Sequence, residues 1–543
     1  MTDGSRTVRA AVGMGAVTAL SRLLGFGRVL VVAAVLGTTY LGNAFQSANS
    51  VSNVLFELVA AGALSAVLVP SFVELLEAGD QRGAEAVAGG VLGIAMAGLG
   101  SVALLGMLAA PLLARALTLG VPPDVAGPQR ELVAFWLVFF LPQVVLYAAG
   151  TVATGVLHAR RRFLAAAAAP IANTVVMVVC LLAFRAMTGA DAGLDLTLSE
   201  RLLLALAGTG GVLAFTGVLV GACRATGFHL VPRLRQRHER VGAVLRQAGW
   251  GVVLHTSAGV LLGGAILAGA AVEGGVVAYQ VAWVFFLAPY AIFSQPIHTA
   301  ILPELVVEGR DLASGRFTSS VRWALERIAL VVLPISALMV ALAGPAMRVL
   351  SVGEASSGDG PALIGAAVAA LAVGLLPYGA FLLLARAFYA LGDSKTPGKV
   401  AIGVAAGGAA IMAIGSPLTD GPARIALLGL AHSVAHLGGA LVLVVLLRRA
   451  AGSSTLSPLQ GALVAISAVA GVVAWVVAQT VLDGRSGRGA DLAASVAGAV
   501  AGGAVVAVGY LAGRVPQRLT ARHLPEAEPE IGNPVAGSTG GLL

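Results

Sequence analysis

Charged residues are scarce in this chain of 543 residues: Asp, Glu, Lys and Arg make up 11% of it, whereas 58% is hydrophobic. Soluble domains carry about 25% charged residues. Together with a mean hydropathy of +0.92, this excludes a soluble globular fold and indicates an integral membrane protein. The net charge of +8 follows the flanks of the membrane spans, so no nucleic-acid partner is expected.

Cysteine is also rare. Cys180 and Cys223 both fall in apolar stretches, which excludes a disulfide framework. His432 and His436 lie one helical turn apart, as metal ligands can, but no third ligand is evident and we predict no metal site. No glycine-rich loop is followed by a Walker lysine, so we predict no ATP site and no cofactor. Any energy that the protein needs would then come from the membrane potential or an ion gradient.

Fourteen apolar stretches of helical length are separated by Gly/Pro-rich or charged breaks. Each is long enough to form a helix through most or all of a hydrocarbon core of about 30 Å. The predicted fold class is therefore all-α, a polytopic membrane protein. The predicted spans are 10–37, 43–76, 87–116, 131–157, 164–187, 201–223, 247–272, 275–303, 323–344, 361–391, 398–416, 424–447, 459–482 and 490–513.

The basic residues indicate the orientation of these spans. If the N-terminus is cytoplasmic, the cytoplasmic loops and flanks carry 23 Lys and Arg residues and the outer ones carry 8. Arg160, Arg161 and Arg162 after the fourth span, and the stretch 233–246 after the sixth, are the strongest anchors. The positive-inside rule then predicts a multi-pass membrane protein with both termini in the cytoplasm. The predominance of arginine over lysine is consistent with a bacterial plasma membrane as its location.

An internal repeat relates the two halves of the chain. The segments LVPSFVELLEAGD and ILPELVVEGRD place Pro70 and Pro303 233 residues apart, and a second match places Pro142 and Pro377 235 apart. Two matches at nearly one offset predict two pseudo-symmetric six-helix lobes with a substrate site between them. The predicted organisation is a cytoplasmic N-terminus (1–9), a first lobe (10–225), a basic linker (226–246), a second lobe (247–450), two extra C-terminal spans (451–513) and a disordered cytoplasmic tail (514–543).

Two arginines lie inside the first predicted span, Arg22 near its middle and Arg28 two turns further on. A central arginine costs about 2.5–3.5 kcal/mol on insertion scales, so it normally faces a wet cavity or a partner. With Ser21 on the same side, the pair predicts an anion site within the membrane, and a structural ion pair is the alternative. The planar guanidinium fork suits phosphate.

A polar stripe follows one face of the second span: Asn43, Gln46, Ser50, Asn53 and Glu57 are spaced 3, 4, 3 and 4. This spacing places all five on one side of a helix. We expect them to line a substrate-binding cavity with the first span, with Glu57 as the counter-charge of an arginine. Interhelical hydrogen bonding is the alternative.

Two more polar residues are candidates for the site. Arg386 lies in the tenth span, near enough to its cytoplasmic end to snorkel, and His255 lies in the seventh, where packing is the alternative. Both would add to a cavity that the first two spans line.

Four segments resemble the MurJ/MviN family, the lipid II flippases of the multidrug/oligosaccharidyl-lipid/polysaccharide exporter superfamily. They are SRLLGFGRVLVVAAVLG (21–37), NAFQSANSVSNVLFELVAAGALSAVLVPSF (43–72), FLPQVVLYAAGTVATGVLHARRRF (140–163) and FYALGDSKTP (388–397). The resemblance implies two lobes forming a V and two terminal helices that form a groove for a lipid tail. It also assigns Ser21, Arg22 and Arg28 to a basic central cavity, and Asn53 to the family's second-span asparagine.

The chain departs from that family pattern at charged positions, and the retained segments look most like an actinobacterial branch. Many members have acidic residues where this chain has Asn43, Val29 and Ala61, and basic ones where it has Phe56 and Val284. The resemblance therefore implies a cavity with less charge than usual.

The function expected from these features is translocation of an undecaprenyl-pyrophosphate-linked peptidoglycan precursor, lipid II, from the inner to the outer leaflet by alternating access. No enzyme activity is expected. The expected partners are the anionic lipid-linked precursor, membrane lipids and cell-wall synthesis proteins. The alternatives are a transport-dead or divergent paralogue that scaffolds cell-wall synthesis, an exporter of another polyprenyl-linked glycan or a drug, and a membrane enzyme acting on polyprenyl-linked sugars.

Overall fold

The computed structural model describes residues 3–59, 65–190, 192–233 and 249–515, and these ranges contain helices and no strand. The α-helices of the first half are α1 (Asp3–Leu36), α2 (Tyr40–Val59), α3 (Ser65–Glu77), α4 (Gln81–Leu108), α5 (Ala110–Leu117), α6 (Pro123–Phe140), α7 (Gln143–Ala159), α8 (Phe163–Thr188) and α9 (Leu198–Ala225). The others are α10 (Gly249–Gly269), α11 (Gly275–Pro289), α12 (Gln295–Glu308), α13 (Arg316–Leu350), α14 (Gly360–Ala372), α15 (Leu375–Ala390), α16 (Lys395–Gly415), α17 (Gly421–Ala451), α18 (Pro458–Leu482) and α19 (Arg488–Ala512).

The described helices confirm the all-α membrane fold. Eleven helical stretches, two of which combine consecutive helices (α6 with α7, and α11 with α12), are long and apolar enough to cross a membrane, and the bent pair α14 and α15 makes twelve. The second and seventh predicted spans include residues outside the described ranges, so the count of fourteen stays a prediction. The predicted domain boundaries also stay predictions, since much of the linker and almost all of the tail lie outside those ranges. We call the membrane side where α1 begins the near side, and the other the far side.

Each half of the chain has hydrophobic cores of its own. In the first half, Trp136, Phe140 and Phe184 are fully buried in one cluster. In the second half, Tyr279 and Phe286 belong to another cluster, built almost entirely from α10 to α17. Because most apolar contacts stay within one half, the two lobes are separate packing units.

The prolines of the repeat occupy comparable places in both halves. Pro142 lies between α6 and α7, and Pro377 lies in the first turn of α15, just after the 44° bend from α14. Proline lacks the N–H that would continue a helix, so a break is expected near it. Pro70 and Pro303 lie within α3 and α12. The repeated sequence thus predicts repeated helix geometry.

The last two spans are fastened to α13 in the second lobe. Arg348 Nε lies 2.7 Å from Asp491 Oδ1 at the far side. At the near-side end of α19, the Tyr510 hydroxyl donates to the Leu330 carbonyl at 2.5 Å. Polar bonds at both ends of α19 therefore attach it to α13 of the second lobe.

Candidate functional site

Arg22 lies on an uninterrupted stretch of α1 and its side chain is exposed. Phe26, one turn later, contacts Phe285 of α11 with ring centroids 4.9 Å apart. Residues four apart share a helix face, so Arg22 faces the region between the first and eighth spans. Ser21 is buried beside it.

Arg28 points to a different neighbour. It is half-buried and lies within electrostatic range of Tyr147 on α7. The Tyr147 hydroxyl is 3.3 Å from Asn53 Oδ1 on α2, to which it donates. The first, second and fourth spans therefore meet at three polar side chains. Tyr147 was not among the residues predicted from sequence, although its hydroxyl within an apolar span was the available signal.

The part of the predicted stripe at the start of α2, from Asn43 to Ser50, joins the two lobes at the far side. Asn43 Nδ2 donates to the Val272 carbonyl at 2.7 Å, and the Val276 amide donates to Asn43 Oδ1 at 3.0 Å. Further in, Gln280 Nε2 donates to Ser50 Oγ. In this conformation these residues hold the lobes together, which matches the hydrogen-bonding alternative. A substrate contact for Asn43 and Ser50 stays a prediction.

The other predicted residues are placed less fully. Gln46 is buried and its carbonyl accepts from Ser50 Oγ at 2.6 Å. Asn53 is half-buried. The side chains of Glu57 and His255 lie outside the described part of the structure, so the expected pairing of Glu57 with an arginine stays a prediction.

An acidic cavity of about 460 Å³ opens at the far side where the lobes meet. Its wall includes Asp124 from the first turn of α6 and Asp195, Glu273 and Glu354 from three different connections between helices. Burial and the nearby Glu273 and Asp124 carboxylates raise the pKa of Tyr40 in the same wall. No sequence pattern predicted this cavity, because its acids are far apart in the chain.

Close backbone packing seals the same end. Gly274 has φ 70°, and a Cβ there would lie 2.3 Å from the Thr38 backbone. Gly353 has φ 60°, and a Cβ there would lie 2.4 Å from the Ala34 carbonyl oxygen. Only glycine fits such close approaches at positive φ. With the Arg185–Glu354 ion pair at 2.7 Å, these contacts close the far side.

The second lobe holds a separate polar and aromatic cluster. Arg386 is half-buried and lies within electrostatic range of Tyr290 and His298. Tyr290 begins a π-helical turn, Tyr290–Ser294, between α11 and α12. Such turns are frequent at functional sites, but nothing in the described residues joins Arg386 to Arg22 or Arg28.

The two neighbouring histidines are packed among aromatic rings. The rings of His432 and His436 lie 4.2 Å apart, and Trp283 is 4.9 Å from His432. The described ranges contain no group of three or more His, Cys, Asp or Glu residues that could hold a metal ion. The pair is thus part of the second core.

The sequence matches one family model, described as lipid II flippase MurJ, over residues 32–485. Curated relatives include a probable lipid II flippase MurJ of Rhizobium tropici, 28% identical over 400 residues and 72% of each chain. Another is the lipid II flippase MurJ of Burkholderia cenocepacia, 25% identical over 409 residues, which cover 73% of this chain and 76% of the relative. The family match begins after Arg28 and so does not test the two arginines.

Solved structures show the same fold. A lipid II flippase MurJ in an inward closed conformation superposes with a TM-score of 0.70 at 16% identity, over 92% of this chain and 98% of the other. An inward-facing multidrug resistance MATE family transporter gives a TM-score of 0.65 at 16% identity, over 81% and 98%. At such identities the likeness concerns the arrangement of helices.

Proposed function

We propose a function from the premise that this chain belongs to the lipid II flippase MurJ family. It moves lipid II, a peptidoglycan precursor carried on a polyprenyl pyrophosphate, from the inner to the outer leaflet of a bacterial plasma membrane. We assign the near side to the cytoplasm because the distribution of basic residues favours that orientation. The reaction is transport by alternating access and involves no covalent chemistry.

The observation that carries this proposal is the arginine pair on α1. Arg28, Tyr147 and Asn53 supply a guanidinium, a hydroxyl and an amide from three spans. Arg22 faces the region between the lobes, six residues nearer the cytoplasmic end of α1. Two guanidinium groups offer N–H donors, and the oxygens of a pyrophosphate can accept hydrogen bonds from them. Anion binding also explains why arginines are tolerated at this depth.

The closed far side supports entry of the lipid-linked precursor from the near side. Asn43, the glycine contacts and the Arg185–Glu354 pair close the outer end, so the precursor would enter from the cytoplasmic side. Release to the outer leaflet would require these contacts to break. The membrane potential would favour outward movement of an anion by about 2.3 kcal/mol per charge per 100 mV.

The test is complementation of a strain depleted of its own flippase, with the level of each variant in the membrane measured alongside. We expect Arg22→Ala and Arg28→Ala to fail to complement at normal abundance. Arg22→Lys should retain part of the activity, because lysine keeps the charge and loses the planar fork. Arg449→Ala, at an exposed arginine of α17, is the matched control and should complement fully.

The lipid-linked precursor that accumulates in the inner leaflet on depletion would identify the head group. Accumulation of a different polyprenyl-linked glycan would overturn lipid II as the substrate. Full complementation by the Arg22→Ala, Arg28→Ala double variant would overturn the anion site and favour a scaffolding role.

A further inference from the structure

A second cavity, of about 710 Å³, lies at the near side within the first lobe. Arg160, Arg161 and Arg162 line it together with Gln81 and apolar groups. The apolar groups come from the ends of α3, α7 and α9, and Glu77 is the one carboxylate among the described lining residues. One part of the cavity wall is therefore basic and another part is apolar. The cavity lies at the near-side ends of the helices, where the membrane meets water.

Arg160 is fixed in the wall. One guanidinium nitrogen donates to Gln81 Oε1 at 3.0 Å, another donates to the Thr226 carbonyl, and the group lies 5.4 Å from the ring centre of Phe228. The neighbouring Arg161 and Arg162 are exposed. The cavity thus has one guanidinium held in place and two that can adapt to a ligand.

The internal repeat provides a reference for this loop. The Arg161 and Arg162 amides donate to the carbonyls of His158 and Leu157. In the second lobe, the Gly392 and Asp393 amides donate to the carbonyls of Tyr389 and Phe388 in the same pattern. These two turns end α7 and α15, the helices that begin at the repeat prolines Pro142 and Pro377, so we pair Arg161 with Gly392 and Arg162 with Asp393.

Arginine is an unfavourable residue at position 161. Its φ is 56°, and the corresponding Gly392 has φ 78°. Glycine adopts this left-handed conformation without steric cost, whereas a residue with a Cβ does not. The first lobe thus has a strained arginine where its counterpart has the glycine that the turn favours.

The next position differs in the sign of its charge. Asp393 Oδ1 accepts from the amides of Lys395 and Thr396, which begin α16. Arg162 directly precedes α8, and its side chain has no oxygen that could accept from the amides of the first turn. The second lobe supplies its own anion at this helix start, and the first lobe supplies three cations beside a cavity.

We propose that this cavity binds the phosphate of an anionic phospholipid head group from the near leaflet. The guanidinium groups of Arg160, Arg161 and Arg162 would contact phosphate oxygens, as planar donor forks commonly do. The apolar wall, which includes Val73 and Leu76, would take the glycerol and the start of the acyl chains. Bound lipid would join the ends of α3, α7 and α9. This site is separate from Arg22 and Arg28 and does not depend on the transported substrate.

The test compares thermal unfolding of the full chain in nanodiscs of phosphatidylcholine with and without phosphatidylglycerol. The decisive variant is Arg161→Gly, Arg162→Asp, which copies Gly392 and Asp393 and supplies an internal anion. We expect the native chain to unfold at a higher temperature with phosphatidylglycerol and the variant to lose most of that increase. In phosphatidylcholine alone, the variant should be at least as stable as the native chain.

A control pair changes the net charge by the same amount elsewhere on the near side. Arg310→Gly, Arg316→Asp replaces two exposed arginines around the start of α13 and should keep the phosphatidylglycerol effect. If the double variant fails to fold, Arg162→Gln gives the same comparison with less change. An undiminished effect in the Arg161, Arg162 variants, or an equal loss in the control, would overturn the proposal. An equal increase with inorganic phosphate in phosphatidylcholine alone would overturn the lipid as the source of the phosphate.

Discussion

The Val276 amide donates a hydrogen bond to Asn43 Oδ1 at 3.0 Å, across 233 residues of sequence. This separation equals the offset between Pro70 and Pro303, so equivalent positions of the two lobes contact each other. Equivalent positions can meet only near the axis that relates the lobes. The far-side closure is therefore built at the pseudo-twofold axis, where one side chain bridges both halves.

Asn43→Ala should shift the protein towards an open far side. The change removes two hydrogen bonds between lobes and leaves the Val276 amide and the Val272 carbonyl without the asparagine, at a cost of about 1–3 kcal/mol to the closed state. A cysteine at the fully buried Ser47 would then react faster with a membrane-impermeant thiol reagent added from the far side.

Ser52→Ala is the matched control for that experiment. Ser52 Oγ donates to the Phe140 carbonyl at 2.6 Å within the first lobe, so its loss should not change labelling at position 47. Equal labelling in the Asn43 variant and the parent would contradict a closing role for Asn43.

Tyr147→Phe should weaken transport without abolishing it. The hydroxyl that contacts Asn53 and lies near Arg28 is lost, whereas the ring and the arginine remain. Loss of one hydrogen bond of about 1 kcal/mol corresponds to a decrease of roughly fivefold in activity. Tyr279→Phe is the control, because no described residue accepts from the buried Tyr279 hydroxyl. A flipping assay in which both variants match the native chain would exclude Tyr147 from the site.

The ion pair between Arg348 and Asp491 should respond unequally to loss of either partner. Asp491 is 8% exposed in its side chain and Arg348 47%. Arg348→Ala leaves a nearly buried carboxylate without its cation and should cost about 1–3 kcal/mol. Asp491→Ala leaves a half-exposed arginine and should cost about 1 kcal/mol or less. Chemical unfolding of both variants checks this order, and equal costs would mean that the carboxylate is solvated.

Asp393 should make stability depend on pH in the acid range. Burial alone would raise the pKa of Asp393, but hydrogen bonds from Thr396 and Lys395 outweigh it and lower that pKa. The folded pKa is then below the unfolded one, so the stabilisation is present above about pH 4 and is lost as the pH falls through the folded pKa. Native and Asp393→Asn chains should therefore differ in melting temperature at neutral pH and converge in acid. A constant difference would contradict this account.

The sequence predicted the membrane class and the helix positions because hydrophobic length and breaks are local properties. Pro142 and Pro377 also predicted the duplication, since proline interrupts helices wherever it falls. The spacing of the stripe predicts one face of α2, and its role in a substrate site stays a prediction. Its partners were not predictable, because the bond from Val276 to Asn43 depends on how two distant lobes pack.

The acidic cavity is the clearest example of a feature that could not be predicted from the sequence. Asp124, Asp195, Glu273 and Glu354 look like ordinary loop residues when read one at a time. Tyr147 is similar, since only its position opposite Asn53 distinguishes it from other interfacial tyrosines. Such sites arise from the meeting of loops and spans and not from spacing along the chain.

Because the last two helices, α18 and α19, are attached to α13, they should move together with the second lobe. The bonds that join Arg348 to Asp491 and Tyr510 to Leu330 connect α19 to the second lobe. A probe on the outer start of α19 would report where the second lobe is, and one on the outer end of α8 would report the first. The distance between the two probes would then serve as a single reaction coordinate for the transport cycle.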